Sequence, residues 1–282
     1  MLQQTRVAAV LEHYRKFLKR FPTVRDLASA TEAQVLAAWS GLGYYRRARL
    51  LHRSAKQLEA EHDGRVPKSS SELIGLPGIG RYTANAIASV AFGEPVAVVD
   101  GNVERVLNRM TRSELSGQRL WTAAQELLDL ASPGDFNQAM MELGATVCTP
   151  IAPSCKSCPI SSHCASDSLA LQSTTLRKQR QQRTELRLLR LRRNMVLLKR
   201  RSERESLMPA MWELPRLKSA TTAPATLKVK HSITTTDWTI EVFASGRLER
   251  SASLKWARVA QLGTLPLTGL TRKILRKLKL LA

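Results

Sequence analysis

The chain has 282 residues, 43% of them hydrophobic, and a formal net charge of +21 at pH 7. That length supports two domains with packed cores. No stretch approaches the roughly 20 apolar residues of a membrane span, and the first residues lack the charged-then-apolar order of a signal peptide. The composition therefore excludes a membrane protein and predicts an intracellular, soluble one.

The positive charge is concentrated in the second part of the chain. Residues 1–166 carry 19 Lys and Arg against 15 Asp and Glu, whereas residues 167–282 carry 25 against 8. A charge this positive favours salt-sensitive binding to a polyanion such as nucleic acid. A basic surface can also serve solubility or contact a ribosome, so the charge alone identifies no partner.

Residues 1–147 are predicted to be almost entirely helical. The first helix carries apolar residues at a period of 3.6. Capping boxes at residues 23–26 and 31–34 begin two short helices. A longer helix is predicted from 44 to about 62, after a Gly-Leu-Gly break. Further helices are predicted at 70–74, 81–92, 103–112, 121–130 and 136–145.

A turn rich in glycine, Leu76-Pro77-Gly78-Ile79-Gly80, joins two of these helices. Glycine lets a backbone approach a ligand closely, and the unpaired N–H groups that begin the next helix suit an anion such as a DNA phosphate. A tight helix connection without a ligand is the alternative. The flanking Leu-Pro pair and the net charge favour a helix-hairpin-helix element that binds DNA through Gly78 and Gly80.

All four cysteines fall within a 17-residue window with the spacing C-x6-C-x2-C-x5-C: Cys148, Cys155, Cys158 and Cys164. Disulfides are unexpected in an intracellular protein. Four clustered thiols therefore predict a metal site. Zinc and an iron–sulfur cluster both accept four cysteine ligands, and the spacing physics does not separate them.

The C-terminal part is predicted to be a small α+β domain at 185–282, after a polar, basic linker at 167–184. The hydrophobic period switches to two in this part of the chain. Leu186, Leu188 and residues 195–198 are expected to form a β-hairpin around residues 192–194. Strands are expected at 226–230 and 238–245, a loop ending at 212–215, and a basic amphipathic helix at 271–281.

Taken together, these motifs resemble the adenine DNA glycosylases of the endonuclease III superfamily, which remove adenine mispaired with 8-oxoguanine. The likeness covers residues 1–164, with order and spacing both preserved. In that family the four cysteines hold a [4Fe–4S] cluster, so the resemblance implies this cofactor over zinc. The matching motifs are Met1-Leu2-Gln3-Gln4-Thr5, Gly41-Leu42-Gly43-Tyr44-Tyr45, Leu76-Pro77-Gly78-Ile79-Gly80, Val99-Asp100-Gly101-Asn102-Val103, Phe136-Asn137-Gln138-Ala139-Met140-Met141 and the cysteine loop.

The resemblance assigns catalytic roles to Asp100, Tyr82 and Asn102. Asp100 matches the carboxylate beneath the sugar, which stabilises the positive charge formed when the N-glycosidic bond breaks; its alternative role is a helix N-cap. Asn102 matches a residue that orients groups near the sugar. Related enzymes that also cut the strand carry a Schiff-base Lys where Tyr82 stands, so the sequence predicts a monofunctional glycosylase.

The resemblance also implies DNA contacts outside the hairpin. Gln3 and Tyr44, with Gln4 beside them, match residues that enter the duplex around the lesion, although Tyr44 could equally be an ordinary aromatic at a helix start. Residues 207–215 resemble the family's Nudix-related C-terminal domain, which reads 8-oxoguanine. The Glu-rich metal-binding helix of Nudix hydrolases is absent from the sequence, so no nucleotide hydrolysis is expected. Thr234 keeps the hydroxyl of the lesion-reading loop, but its aromatic and imidazole neighbours are missing, which puts strict 8-oxoguanine preference in doubt.

One expected residue is missing. The family's general acid is a Glu two residues before the Met of the Met-Leu-Gln-Gln-Thr motif, and here that Met is residue 1. Glu12 lies well inside the first helix and cannot replace it by motif position. Either the start codon was assigned too late or the chain is truncated; the intact remainder of the site favours the first account.

The sequence thus predicts a mainly α helix-hairpin-helix glycosylase domain at 1–147, an iron–sulfur loop at 148–166, the linker, and a Nudix-like domain. We expect a monomer in the cytoplasm, associated with the nucleoid, that excises adenine from double-stranded DNA containing A:8-oxoguanine or A:G mispairs. A non-catalytic mismatch-binding protein is the alternative. A thymine or oxidised-pyrimidine glycosylase of the same superfamily is a third hypothesis, against which the C-terminal domain argues.

Overall fold

The computed structural model describes residues 1, 5, 7–166, 180–219, 222–233, 236–248 and 251–281. Three predicted DNA-binding residues, Gln3, Gln4 and Thr234, lie outside the described residues. Backbone contacts divide the chain into two compact units: the first joins Met1–Glu59 with Lys178–Ala282, and the second is Ala60–Arg177. The domain boundaries expected from the sequence stay a prediction.

The mainly α character expected for the first half of the chain is confirmed, and none of the helices in the described ranges is long and apolar enough to cross a bilayer. Among the described residues, nine α-helices precede the cysteine loop and a tenth lies near the end: α1 Val7–Arg20, α2 Val24–Ser29, α3 Glu32–Trp39, α4 Tyr45–Glu61, α5 Ser70–Leu73, α6 Arg81–Phe92, α7 Gly101–Thr111, α8 Gly117–Glu126, α9 Pro133–Thr146 and α10 Gly269–Lys277.

Local signals set most helix starts. The two predicted capping boxes are confirmed: the hydroxyls of Thr23 and Thr31 each accept a backbone N–H of the first turn, from Asp26 and Gln34 respectively. Two helices begin three or more residues earlier than predicted: α8 starts at Gly117 instead of 121, and α9 starts at Pro133 instead of 136. In α9, proline suits the first helical position because the N–H group it lacks needs no partner there.

In the second unit, an extended segment at 94–99 leads from α6 to the start of α7. Asn137, which is 2% exposed, holds this segment in place. Its Oδ1 accepts the N–H of Val98 at 2.9 Å, and its Nδ2 donates to the carbonyl of Val96 at 2.9 Å. Because the segment ends at Asp100, the buried amide of α9 fixes where the candidate catalytic carboxylate emerges.

Two glycines let α9 lie unusually close to its neighbours. A Cβ on Gly144 would fall 2.6 Å from the Cβ of Asn102 on α7. A Cβ on Gly134 would fall 2.8 Å from the carbonyl oxygen of Ser89 on α6. Glycine is therefore required at both positions for α6, α7 and α9 to keep this spacing.

We expect Gly144→Ala to lower the free energy of unfolding by about 1–3 kcal/mol, as overpacking does when the neighbour is backbone or Cβ. Urea denaturation followed by circular dichroism measures this. Gly101→Ala is the matched control, since a Cβ there meets nothing within 4 Å and alanine is the better helix former. Equal unfolding free energies of the two variants would show that the close approach of α9 to α7 at Gly144 does not contribute to stability.

In the first unit, α1, α3 and α4 surround a core centred on Trp39, whose ring meets Phe17 edge-on at 5.9 Å. Met211, from the C-terminal part of the chain, is fully buried in the same core. The Ser40 hydroxyl and the Tyr45 hydroxyl both donate to the carbonyl of Leu267, at 2.8 and 3.3 Å. The N-terminal helices and the C-terminal α+β region are thus packed as one body.

The α+β character expected for the C-terminal region is confirmed. The strands are β1 Gln181–Leu188, β2 Leu191–Arg192, β3 Met195–Arg200, β4 Trp212–Glu213, β5 Leu227–Ile233, β6 Thr236–Phe243 and β7 Leu254–Arg258. One sheet has the order β1-β6-β5, with β1 parallel to β6; in the second, β3 pairs with β2, β4 and β7. α10 packs on the apolar core that both sheets share.

The predicted β-hairpin is right in its turn but wrong in part of its strand. Arg193 and Asn194 have φ of +44° and +59° between β2 and β3, as a two-residue hairpin turn requires. Leu186 and Leu188, however, belong to β1, which pairs with the distant β6. Alternation of apolar residues marks a strand but carries no information about its partner. The expected loop at 212–215 likewise begins with the short strand β4.

A buried ion network joins β1 to β4. Glu213 is 5% exposed. Its Oε2 accepts from Arg187 Nη1 at 3.1 Å and from Arg201 Nη1 at 2.8 Å. Burial alone would raise the pKa of Glu213, but the charges and hydrogen bonds of the two arginines outweigh it and lower the pKa below its ordinary value of 4.5. A folded pKa below the unfolded one stabilises the protein above pH 4.5, and this contribution is lost as the pH falls through the folded pKa.

We expect Glu213→Gln to destabilise the protein by about 3 kcal/mol at neutral pH, because it removes the carboxylate that two buried guanidinium groups share. Arg187 then keeps only Glu185 as a carboxylate partner, and Arg201 keeps only Glu205. The difference from wild type should shrink as the pH falls below about 4.5. Denaturation curves over a pH series measure both effects. Glu203→Gln, at an exposed pair with Arg200, is the control; a pH-independent difference would refute the ionised network.

Candidate functional site

The hairpin expected from the sequence is present in the second unit. α5 ends at Leu73, and the turn that follows contains Gly78 at φ +82°, a backbone geometry that favours glycine. Gly80 is the N-cap of α6 and supplies no capping side chain. Both glycines are exposed. The start of α6 therefore offers backbone N–H groups and the positive end of a helix dipole at the protein surface.

Arg81 is fixed beside this turn. Its guanidinium lies 4.0 Å from the ring centroid of Trp121, and its Nη1 donates to Gln118 Oε1 at 2.9 Å. Both partners belong to α8. This pair of contacts holds a positive charge at the first residue of α6, where it adds to the field of the helix terminus.

Asp100 is the N-cap of α7, as its alternative role proposed. Its Oδ1 accepts the backbone N–H groups of Asn102 and Val103, each at 2.8 Å. Its Oδ2 accepts the side-chain amide of Asn102 at 3.0 Å. The same interactions orient the side chain, so capping and a catalytic role are compatible.

Arg105 ties this site to the cysteine loop. Its Nη2 donates to Asn102 Oδ1 at 2.9 Å and to the carbonyl of Gly144 at 2.6 Å. Its Nε donates to the carbonyl of Cys148 at 2.8 Å. The single planar guanidinium of Arg105 therefore contacts Asn102, Gly144 and Cys148.

Tyr82 is close to Asp100 in the same unit. Its hydroxyl donates to the sulfur of Met141 at 3.6 Å. Burial, and then the negative charge of Asp100, raise the pKa of Tyr82 above its ordinary value. The phenol is thus protonated at neutral pH and can donate a hydrogen bond, but it has no amine for a Schiff base.

The four cysteines are half-buried and free of disulfides. Arg109 borders their loop: its Nη1 donates to Cys148 Sγ at 3.2 Å and to the carbonyl of Thr149 at 2.9 Å. Short 3-10 turns at Cys155–Ser157 and Ser161–His163 space the later cysteines. Across the described residues, no three His, Cys, Asp or Glu side chains converge as metal ligands. The chemistry of the donor set, four thiols in one loop bordered by arginines, nevertheless fits an iron–sulfur cluster.

Tyr44 lies in the first unit, immediately before α4. It has φ +48° and its side chain is 55% exposed. The Arg47 guanidinium stands 5.1 Å from its ring centroid. An exposed aromatic ring in a left-handed backbone conformation is unusual for a helix start, which favours a role outside the protein core.

The structure therefore brings Asp100, Asn102 and Tyr82 together in the unit that also carries the hairpin glycines and the cysteine loop. The catalytic and DNA-binding roles given to these residues stay predictions. Sequence reasoning missed Arg105, and it named Met141 only as part of a motif, without its contact to Tyr82. Arg105 stands three residues after Asn102 on one helix, a spacing that could have indicated their contact. No local signal identifies Met141, whose partner lies 59 positions away.

The comparisons agree with this arrangement. A family model described as HhH-GPD superfamily base excision DNA repair protein matches residues 1–128. An adenine DNA glycosylase of Homo sapiens is 52% identical over 171 residues, which cover 58% of this chain and 31% of the human protein. The chain spans about a third of the length of this human protein and of the adenine DNA glycosylase of Rattus norvegicus.

Two solved structures share the fold of the helical part. A thermostable thymine-DNA glycosylase is 30% identical with a TM-score of 0.55, and the match covers 58% of this chain and 78% of that one. Endonuclease III in a trapped covalent intermediate with DNA is 28% identical with a TM-score of 0.53, over the same shares. With the hairpin, the capping carboxylate and the cysteine loop in place, the chain belongs to the HhH-GPD superfamily of base excision DNA repair proteins.

Proposed function

We propose that this protein is a monofunctional DNA glycosylase that excises adenine mispaired with 8-oxoguanine or guanine in double-stranded DNA. The observation that carries the proposal is the position of Asp100, capped into α7, beside Tyr82 and in the same unit as the exposed hairpin. The sequence identity to adenine DNA glycosylases supports adenine as the base that is excised. The fixed Arg81 and the uncapped start of α6 support phosphate binding.

In the proposed reaction, the target nucleotide leaves the base stack before the bond breaks. Cleavage of the N-glycosidic bond moves the bonding electron pair onto adenine, which takes a proton from water and leaves as the free base. The Asp100 carboxylate stabilises the positive charge left on the sugar electrostatically. A water molecule then adds to the sugar carbon and loses a proton, which gives the abasic site. Asn102 holds the carboxylate through two hydrogen bonds, one from its backbone and one from its side chain. The protonated Tyr82 hydroxyl exchanges its weak thioether partner for a group of the substrate.

The absence of a lysine at position 82 supports a reaction that ends at the abasic site. An oligonucleotide duplex with a single A:8-oxoguanine pair tests this. Alkali after incubation should reveal strand cleavage at the adenine, whereas without alkali the strand stays intact. Cleavage without alkali would contradict the monofunctional mechanism, and tight binding without any abasic site would favour the mismatch-binding alternative.

We further propose that Cys148, Cys155, Cys158 and Cys164 hold a [4Fe–4S] cluster. When bound, such a cluster cross-links the loop and supplies a redox-active centre. The arginine that donates to Cys148 Sγ offers the hydrogen bond to sulfur by which proteins tune such centres. Arg105 and Arg109 together hold the beginning of the loop through backbone carbonyls.

We expect Cys158→Ser to remove the broad visible absorption of the purified protein, with a matching loss of iron and acid-labile sulfide. The substitution removes one of the four thiolate ligands. Ser157→Ala is the control and should keep the metal content of wild type. Stoichiometric zinc without visible absorption in the wild-type protein would contradict the cluster.

The C-terminal region would read the base opposite the adenine, and the protein would act in the cytoplasm at the nucleoid. The excess of basic residues after position 166 supports a DNA-facing role for this region. The described part of its fold, two small sheets with α10 on their shared core, is compatible with the expected Nudix-like domain.

A further inference from the structure

The loop between α3 and α4, residues 40–44, is held in a conformation that short chain segments seldom adopt. Gly41 has φ +112°, Gly43 has φ +73° and Tyr44 has φ +48°. Left-handed geometry is unfavourable for a non-glycine residue, so the surrounding structure has to impose it on Tyr44. The result is an aromatic ring that projects from the surface, 55% exposed.

The contacts that impose this geometry come from the C-terminal end of the chain. The Ser40 hydroxyl donates to the carbonyl of Leu267 at 2.8 Å, and both atoms are buried. The Tyr45 hydroxyl donates to the same carbonyl at 3.3 Å and accepts the N–H of Gly41 at 3.3 Å. A single backbone oxygen before α10 therefore anchors both ends of the loop.

Packing around the loop reinforces the anchor. A Cβ on Gly41 would lie 3.0 Å from the His13 imidazole and 3.9 Å from Arg272 Cδ, so α1 and α10 both close on it. Tyr45 is 4% exposed, and its burial raises the pKa of its hydroxyl. The Tyr45 hydroxyl is thus a neutral donor at all pH values at which the protein would act on DNA.

We propose that Ser40 and Tyr45 are positioning residues through which the C-terminal region sets the Tyr44 side chain in its projecting conformation for insertion into a DNA duplex. The proposal rests on the proposed function for the role of Tyr44 in DNA, but not for the anchor itself. It gives the C-terminal region a second task besides base recognition, namely to shape the loop that enters the duplex from the N-terminal helices.

The test uses three variants: Ser40→Ala, Tyr45→Phe and the double variant that combines them. The control is Tyr14→Phe, at an exposed tyrosine on α1. The first readout is hydrogen exchange of the Leu42 amide in the full chain without DNA. That amide donates to the carbonyl of Trp39, which every variant retains. Loss of both anchoring bonds should accelerate its exchange roughly tenfold, while the Leu27 amide, bonded to Thr23, should not change.

The second readout is the fluorescence of 2-aminopurine placed beside an A:8-oxoguanine pair, which increases when a side chain unstacks the base. We expect the double variant to lose most of this increase, as Tyr44→Ala does, whereas Tyr14→Phe keeps it. Leu42 exchange within twofold of wild type would overturn the anchor. Accelerated exchange with undiminished fluorescence would overturn the positioning role. If wild type gives no fluorescence change, the proposed DNA function fails, and the exchange result still decides the anchor.

Discussion

Replacing Arg105 with leucine should lower the free energy of unfolding by about 3 kcal/mol, because a half-buried guanidinium that makes four charge-assisted bonds is lost. The carbonyls of Gly101, Gly144 and Cys148 would lose a donor, and so would Asn102 Oδ1. Because this side chain reaches both Asn102 and the first cysteine, cluster content and excision should fall together. Denaturation curves, visible absorption and single-turnover excision measure the three effects.

Two further variants separate geometry from charge in that experiment. Arg105→Lys keeps the charge but cannot form the planar fork, so we expect it to recover only part of the stability. Arg119→Leu removes an exposed arginine on α8 and should change stability by no more than about 0.5 kcal/mol. Full activity and full cluster content in Arg105→Leu would contradict the connection between the carboxylate and the cysteine loop.

Asp100→Asn should reduce the single-turnover rate of adenine excision at least about 100-fold, since the stabilising charge under the sugar is removed. Asparagine is as good an N-cap as aspartate, and its Oδ1 can still accept the N–H groups of Asn102 and Val103. The helix should therefore keep its start, and the unfolding free energy should fall by only about 1 kcal/mol for the lost bond to the Asn102 amide. Affinity for the duplex should persist.

Asp100→Ala completes the comparison. It removes the charge and the cap together, so its stability should fall by about 1 kcal/mol more than that of Asp100→Asn, while the two variants share the same residual rate. A rate for Asp100→Asn near that of wild type would assign Asp100 to capping alone. Rate losses that follow the stability losses, small in Asp100→Asn and larger in Asp100→Ala, would lead to the same conclusion.

Much of this site could be predicted because its signals are local. The capping role of Asp100 requires only its position before a helix, and the two threonine capping boxes follow from residues three apart. The hairpin follows from glycine chemistry within five residues. In each case the contact joins neighbours in sequence, so the pattern of residue types contains the geometry.

The rest depends on contacts between distant segments. Leu186 and Leu188 alternate as a strand must, but only the packed sheet shows that β1 pairs with β6 in parallel. The need for glycine at 144 arises from the backbone of α7, and the donor role of Tyr45 arises from a carbonyl 222 positions away. Nothing in the local sequence around those residues specifies such partners.

The most direct measurement is the release of free adenine by the purified chain from a duplex with one A:8-oxoguanine pair, identified by mass, beside the same duplex with an A:T pair. We predict one adenine released per mispaired duplex, an abasic strand of the original length, and release at least about 100-fold slower by Asp100→Asn. A wild-type protein that binds the mispair tightly and leaves the adenine on its sugar would contradict the account.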